Sequence, residues 1–318
     1  MADCIAIKNL EMHFRGCDAL RGIDLTIPRG SVFAILGENG AGKTTLIRIL
    51  TGYQIPSRGE CRVLGLDPVR DSLAIRRRIG YVSDAPALYD WMRVDEIGWF
   101  ASSFYPEGFL ERYRESILKY ELPFDRRIRH LSKGQRAKVA LALATAHDPE
   151  LLILDEPTSG LDPLVRREFM ESMVDRAALG KTVLLSSHQI AEVERVADHI
   201  AIVHQGRVRL TGALSDLRES VSEVMIQVSD PLAAIPMLGR PAEVLSEQRL
   251  GTQIRWVVRG FAKSMEEGIL AWPGVQNVRS RPTTLEELFV ACTHGTQAAH
   301  PSANDSEQAV DALGRQAS

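Results

Sequence analysis

The sequence predicts an α/β protein built on a mostly parallel sheet, followed by a smaller α+β domain. Three observations carry this. Residues 32–36 (Val-Phe-Ala-Ile-Leu) and 151–154 (Leu-Leu-Ile-Leu) are apolar without a break, as strands covered on both faces are. Residues 182–185 form a third buried run, and the stretch between the last two reads as a helix, so strand, helix and strand make a βαβ unit. After about Leu217 the texture changes to shorter strands (223–228, 253–259 and 275–279) and two helices.

Length agrees with two domains, since 318 residues at roughly 150 per domain sets that prior. The chain is 45% apolar and 25% charged, ordinary for a globular protein, and its net charge of −3 demands neither nucleic acid nor an anionic membrane. No nucleic-acid partner is therefore expected. The opening residues lack the basic start and apolar run of a secretory leader, and no run approaches the roughly 18 apolar residues of a membrane span. Cys4, Cys17, Cys61 and Cys292 are scattered without a C-x-x-C pair, which reads as free thiols in a reducing compartment.

Taken in order, residues 4–10 and 22–27 alternate like β-structure, and 32–36 is the buried strand. Residues 84–150 are dominated by helical patterns, with Tyr and Trp crowded between Tyr89 and Tyr105. The helix between the buried strands has readable ends: Asp162 as N-cap, Pro163 in the first turn and Gly180 at the exit. Residues 199–204, the turn Gln205-Gly206 and 207–211 read as a hairpin. Thr284 with Glu287, and the apolar Leu285, Leu288 and Phe289, predict a capped amphipathic helix. From about Thr293 the residues are small, polar and aperiodic, the pattern of a mobile tail.

Two clusters carry chemistry. Gly37-Glu38-Asn39-Gly40-Ala41-Gly42-Lys43-Thr44 fits G-x-x-x-x-G-K-[ST] between a buried strand and a helical run. In such a loop the glycines let backbone N–H groups wrap phosphates, the helix N-terminus adds its positive end, Lys43 reaches the β/γ-phosphates and the Thr44 hydroxyl faces Mg²⁺. Thr45 belongs to the same binding turn. Asp155-Glu156 closes the strand 151–154, and adjacent carboxylates there are costly unless they hold a cation or do chemistry. Asp155 is the expected Mg²⁺ partner and Glu156 the group that orients or deprotonates water.

Together these motifs resemble the ATP-binding cassette (ABC) ATPases, of the P-loop NTPase superfamily, over residues 1–215. The resemblance implies a helical subdomain at about 84–150 and an antiparallel β-subdomain within 1–215; the change of texture places the accessory α+β domain at 216–293 and the tail at 294–318. Leu131-Ser132-Lys133-Gly134-Gln135 looks like the family signature, and Ser132 with Gln135 also makes a capping box on its own terms. In the family this motif, here Ser132, Gly134 and Gln135, binds the γ-phosphate held by a second subunit, so the partner expected is another copy or a paralogue. Ser159-Gly160-Leu161-Asp162 is similar to the loop crossing that interface, His188 matches the switch histidine, and Phe14 stands where an aromatic stacks on adenine.

Two positions depart from the family. Lys133 replaces the first of two signature glycines, and Asp84 stands where many members carry a glutamine that touches Mg²⁺. A carboxylate can ligate Mg²⁺, at the cost of extra negative charge near the γ-phosphate. Residues 83–92 correspond to the region that receives a short helix from a membrane partner. The aromatics Tyr89, Trp91, Trp99, Phe100, Phe104 and Tyr105 fit such a groove or ordinary core packing equally. The implied function is the ATPase subunit of an exporter with a separate transmembrane permease, using ATP and Mg²⁺ at the inner face of the cell membrane. The rivals are a soluble remodelling ATPase, whose double cassettes or long coiled coils this sequence lacks, and an ATP-driven regulatory dimer.

Overall fold

The computed structural model describes residues 3–233, 235, 238–239 and 241–294. Of the expected tail, 294–318, His294 is the last residue of a helix that begins at Leu285, and residues 295–318 lie outside the described residues. The chain divides into two compact units, 1–215 and 216–318.

The first unit is centred on a six-stranded sheet in the order β5-β6-β7-β3-β8-β9. Its members are β3 (Val32–Leu36), β5 (Ile79–Val82), β6 (Leu151–Asp155), β7 (Thr182–Ser187), β8 (His199–His204) and β9 (Arg207–Ala213). The first five run parallel and β9 returns antiparallel as a hairpin on β8. Every residue of β3, β6 and β7 is buried, which is why those runs are apolar on both faces. The shorter β5 carries Gly80, where an added Cβ would meet the Ala144 carbonyl oxygen at 2.2 Å; that close approach explains a glycine inside a strand and hides the strand from pattern reading.

A second, antiparallel sheet, β2-β1-β4, is made of β1 (Ile5–Phe14), β2 (Cys17–Ile27) and β4 (Arg58–Val63). Its inward side chains Ile5, Ile7, Leu10, Ile23, Leu25 and Val63 join Leu46, Ile47 and Leu50 of α1 (Lys43–Leu50) and Phe33 and Ile35 of β3 in one cluster. Each such buried aliphatic contributes about 1.5–3 kcal/mol, so α1 is clamped between the two sheets. That clamp fixes the position of its N-terminus.

Between β5 and β6 the chain forms α3 (Val94–Ser102), α4 (Phe109–Lys119) and α5 (Lys133–Thr145), with α2 (Ser72–Arg78) preceding β5. Phe109, Tyr113, Ile117, Val139 and Ala142 form their shared core. The buried Tyr113 hydroxyl donates to the Val94 carbonyl at 2.6 Å, and burial pushes its phenol pKa up. Of the crowded aromatics, Tyr89, Trp91, Trp99 and Phe104 are exposed, whereas Phe100 and Tyr105 pack against this core. After β6 come α6 (Pro163–Ala178) and α7 (Ile190–Val196). The Asp162 carboxylate accepts from the Leu164 and Val165 amides, and Gly180 exits α6 at φ +78.

Helix α8 (Leu214–Ser220) leads to β10 (Val221–Val228). The second unit has a four-stranded antiparallel sheet, β11-β12-β10-β13, with β11 (Glu243–Leu250), β12 (Gln253–Arg259) and β13 (Val275–Pro282). The sequence pattern gave three of these strands; β11 was hidden because Ser246 to Arg249 are polar. Val224, Ile226, Ile254, Trp256 and Val258 face one side with Ile269 of α9 (Met265–Leu270). On the other side the buried Glu223 pairs with Arg255 and Arg281, both of which also hold Glu287 of α10 (Leu285–His294). The expected capping box forms, since the Glu287 amide donates to Thr284 Oγ1 at 3.2 Å and the Thr284 amide to Glu287 Oε2 at 3.0 Å.

The Arg281 guanidinium, assisted by the Thr284 amide, holds the Glu287 carboxyl down at about 2, below its ordinary 4.5. A carboxyl with a lowered folded-state pKa stabilises fully above its unfolded value and loses that contribution as pH falls through the folded one. The protection factors of the α10 amides, that is exchange corrected for the intrinsic pH dependence, should therefore fall between pH 4.5 and about 2 in the intact chain. Glu287→Gln should lower them already at pH 7 and flatten the profile across that window. An unchanged profile in the variant would show that Glu287 does not anchor α10.

Candidate functional site

In a parallel sheet, ligand-binding loops gather at the carboxyl ends of the strands. Here the order β6-β7-β3 sets three such ends side by side. Asp155 is level with Ser186, and Leu36 with Ser187. The chain leaves β3 into residues 37–44, β6 into Glu156, and β7 into His188, so three distant sequence segments meet at one rim.

The loop 37–44 turns directly into α1. Gly42 is its N-cap at φ +108, a conformation costly for other residues, and an added Cβ would meet the Ala19 carbonyl oxygen at 2.6 Å. That contact ties the loop to β2 and so to the β1–β2 hairpin whose end carries Phe14, half exposed at 47%. Gly40, at φ +82, has open space where a Cβ would be. No side chain caps α1, so the amides of Lys43, Thr44 and Thr45 remain for an anion, and the Thr44 hydroxyl is on an exposed residue. The loop's other members, Glu38, Asn39 and Ala41, complete the curve, with the Ala41 amide donating to the Glu38 carbonyl at 3.2 Å and the Ala41 carbonyl accepting from Gly206 at 3.0 Å.

Lys43 is 5% exposed, and a buried ammonium needs partners. Its Nζ donates to the Gly37 carbonyl at 2.6 Å and the Glu38 carbonyl at 3.2 Å, and lies 3.0 Å from Glu156 Oε1. The other carboxylate oxygen of Glu156 is 2.7 Å from His188 Nδ1. Glu156 thus bridges the phosphate-type loop and the histidine after β7. Its φ is +48, a left-handed conformation that costs a non-glycine residue about 1–3 kcal/mol. Two bonds sustain it: the Glu156 amide donates to the Ser186 carbonyl at 3.2 Å and to Ser186 Oγ at 3.0 Å.

Asp155 is 2% exposed and accepts from Ser186 Oγ at 2.6 Å. Among the described residues no three His, Cys, Asp or Glu side chains converge as a metal cage. The donor set suits Mg²⁺ nonetheless, because that ion is typically held by one or two carboxylates together with substrate phosphates. Asp84, just beyond β5, is exposed and takes no part in the bonds joining Lys43, Asp155, Glu156 and His188. It lines a separate cavity of about 280 Å³ together with Lys133 and Arg136.

Ser132, Gly134 and Gln135 stand at the start of α5. The predicted capping box forms, with the Gln135 amide donating to Ser132 Oγ at 3.2 Å and the Ser132 amide to Gln135 Oε1 at 3.0 Å. Gly134 is packed on Val165 of α6, where an added Cβ would lie 3.3 Å from its methyl groups. This helix start is not joined to the Lys43 cluster by any of the bonds above.

Pattern reading passed over Ser186, which serves both Asp155 and Glu156; its signal is a polar pair, Ser186-Ser187, ending an apolar strand. It also passed over Glu192, which is 7% exposed, accepts from Thr158 Oγ1 at 2.6 Å and pairs with Arg166 at 2.9 Å. Arg166 in turn donates to Gln189 Oε1 at 2.9 Å. These bonds tie the loops that follow Glu156 and His188 to each other.

The family described as ABC transporter matches residues 20–159. An ABC transporter ATP-binding protein of Nostoc sp. is 38% identical over 220 residues, 66% of this chain and 64% of that protein's length. The daunorubicin resistance ATP-binding protein DrrA3 of Streptomyces coeruleorubidus is 32% identical over 317 residues, covering 92% of this chain and 97% of DrrA3. The dimeric structure of MJ0796, a bacterial ABC transporter cassette, superposes with a TM-score of 0.59 at 26% identity, covering 66% of this chain and 98% of that one. With a P-loop α/β fold and near full-length similarity to DrrA3, the chain belongs to the ABC transporter ATP-binding proteins, a family of ATPases.

Proposed function

We propose that this chain is the ATP-binding and hydrolysing subunit of an ABC exporter whose membrane-spanning permease is a separate polypeptide. The observation that carries the catalytic part is the chain of contacts Lys43–Glu156–His188 at the carboxyl ends of β3, β6 and β7. Export is supported by the likeness to a drug-resistance protein along nearly its whole length.

Residues 37–45 hold the phosphates through backbone amides and Lys43, and Phe14 stacks on adenine. Thr44 and Asp155, with Asp84 as an additional carboxylate, would hold a Mg²⁺ ion, which would supply charge neutralisation to the triphosphate when bound. Glu156 orients a water and takes its proton as the water oxygen bonds to the γ-phosphorus and the bridge to the β-phosphate breaks, leaving ADP and phosphate. His188, hydrogen-bonded to Glu156, holds that carboxylate and contacts the γ-phosphate. Ser132, Gly134 and Gln135 bind the γ-phosphate carried by a second subunit, a copy or paralogue, in a head-to-tail pair. This is consistent with the α5 start being outside the Lys43 cluster of its own chain. Residues 1–215 serve as the nucleotide-binding domain and 216–293 as an accessory domain.

No helix among the described residues is long and apolar enough to cross a membrane. A groove of about 410 Å³, lined by Tyr53, Arg76, Tyr81, Leu88, Tyr105 and His147 among others, supplies the face on which a permease segment docks at the inner surface of the membrane. Purification of the tagged chain from detergent-solubilised membranes of its own host tests this reading. The tagged chain should co-purify with a membrane-spanning protein in stoichiometric amount and its ATPase rate should rise severalfold in the complex. Recovery with ribosomes or as a free regulatory dimer, with no membrane protein bound, would favour the soluble alternative.

A further inference from the structure

The cavity beside Asp84 brings together the two positions at which the chain departs from its family. Ser83, Asp84, Ala85 and Pro86 form one wall, Lys133, Arg136 and Ala137 of α5 another, and Pro157, Ser159 and Leu161 the floor. Three charged groups line it. Arg136 is already committed, since its Nη1 lies 2.6 Å from the Asp90 carboxylate and 3.3 Å from the Ile128 carbonyl. Asp84 and Lys133 are both exposed, and among the described residues neither has an ion-pair partner within 4 Å. The Lys133 ammonium lies over Gly160, where an added Cβ would meet it at 2.7 Å, so the arm runs along the floor of the cavity instead of out from α5. Two opposite, uncommitted charges therefore line one small cavity.

We propose that Lys133 is the positioning residue of Asp84: the two close into a salt bridge across this cavity, and Lys133 thereby competes with Mg²⁺ for the carboxylate. The inference rests on the metal-side role given to Asp84 in the proposed function. In a chain with glycine at the Lys133 position, Asp84 would be free to face the metal at all times. Here it has two alternative partners, and the loop 83–86 is drawn either towards α5 or towards the nucleotide. Since α5 begins with the signature residues, the same bridge links that helix start to the loop following β5.

Two readouts test it. In nucleotide-free protein, amide exchange at Ser83, Asp84 and Ala85 should rise about two- to fivefold in Lys133→Met and in Asp84→Asn, the range an exposed ion pair supports. The double variant should exchange no faster than either, and Lys133→Arg should match the parent. In a Glu156→Gln background, sedimentation should give the Mg²⁺ concentration for half-maximal ATP-dependent dimer. Lys133→Met should lower it about two- to fivefold, Asp84→Asn should raise it, and Lys133→Met should have no effect once Asp84 is Asn. Additive effects in either assay, or no effect of Lys133→Met in both, would overturn the pairing. Absence of any ATP-dependent dimer at high Mg²⁺ would count against the nucleotide reading instead, and amide exchange would still decide the pair.

Discussion

Glu156→Gln should abolish most ATP hydrolysis, lowering turnover by about 10²–10⁴-fold, while ATP should bind at least as tightly as in the parent. The rate loss is what removing a positioned general base costs. The binding result follows from the Lys43 contact. Glu156 Oε1 lies 3.0 Å from the Lys43 ammonium, which the proposed function assigns to the phosphates, so on that reading carboxylate and nucleotide compete for one cation. A neutral amide of the same shape ends that competition and removes a negative charge near the triphosphate, which should tighten ATP several-fold. It retains the size and hydrogen-bonding capacity to sit beside His188 and the left-handed backbone held by Ser186. Phosphate release under saturating Mg-ATP measures the first effect and equilibrium nucleotide binding the second. Normal turnover would remove Glu156 from the role of base; weaker ATP binding would mean that the carboxylate supports the nucleotide and does not compete with it.

The parts of this arrangement that were legible in the sequence are those where one residue type is physically demanded. Strands β3, β6 and β7 announce themselves because burial on both faces leaves an unbroken apolar run in each, and the loop 37–44 because its glycines and lysine fit the pattern of a phosphate-binding loop. Caps at Asp162, Ser132 and Thr284 were readable for the same reason, since orphan amides select oxygen-bearing side chains. Strands β4, β5 and β11 were not. The first alternates only weakly, the second is four residues with a glycine inside, and the third is polar along most of its length. In the candidate site, residues could be nominated from the sequence and their contacts could not. Nothing local in the sequence tells that Lys43 reaches Glu156, or that Ser186 serves both Asp155 and Glu156, because strand order determines those meetings. The shared cavity of Asp84 and Lys133 belongs to the same class: two unusual residues, each readable alone, whose opposition emerges only when α5 is packed beside the end of β5.

Lys43→Met separates the structural and chemical roles of the buried ammonium. The substitution keeps an unbranched arm of similar length and deletes the charge. ATP affinity should fall about 10- to 100-fold, the value of a charge-assisted hydrogen bond to phosphate lost from a closed loop. Stability should fall as well, by about 1–3 kcal/mol, because the Gly37 and Glu38 carbonyls lose their donor and Glu156, only 13% exposed, is left with a charge that no cation balances. For a unit of about 200 residues that corresponds to a melting-point drop of roughly 2–10 °C. The second loss is the informative one. Adding Glu156→Gln to Lys43→Met removes the uncompensated charge, so the double variant should be more stable than Lys43→Met alone, recovering at least about 0.5 kcal/mol, while ATP binding stays weak. Thermal unfolding and nucleotide titration of the wild type, both single variants and the double variant close the cycle. If the double variant is destabilised by the sum of the two singles, the Lys43–Glu156 pair is not formed in solution, and the tightening of ATP expected for Glu156→Gln loses its basis too.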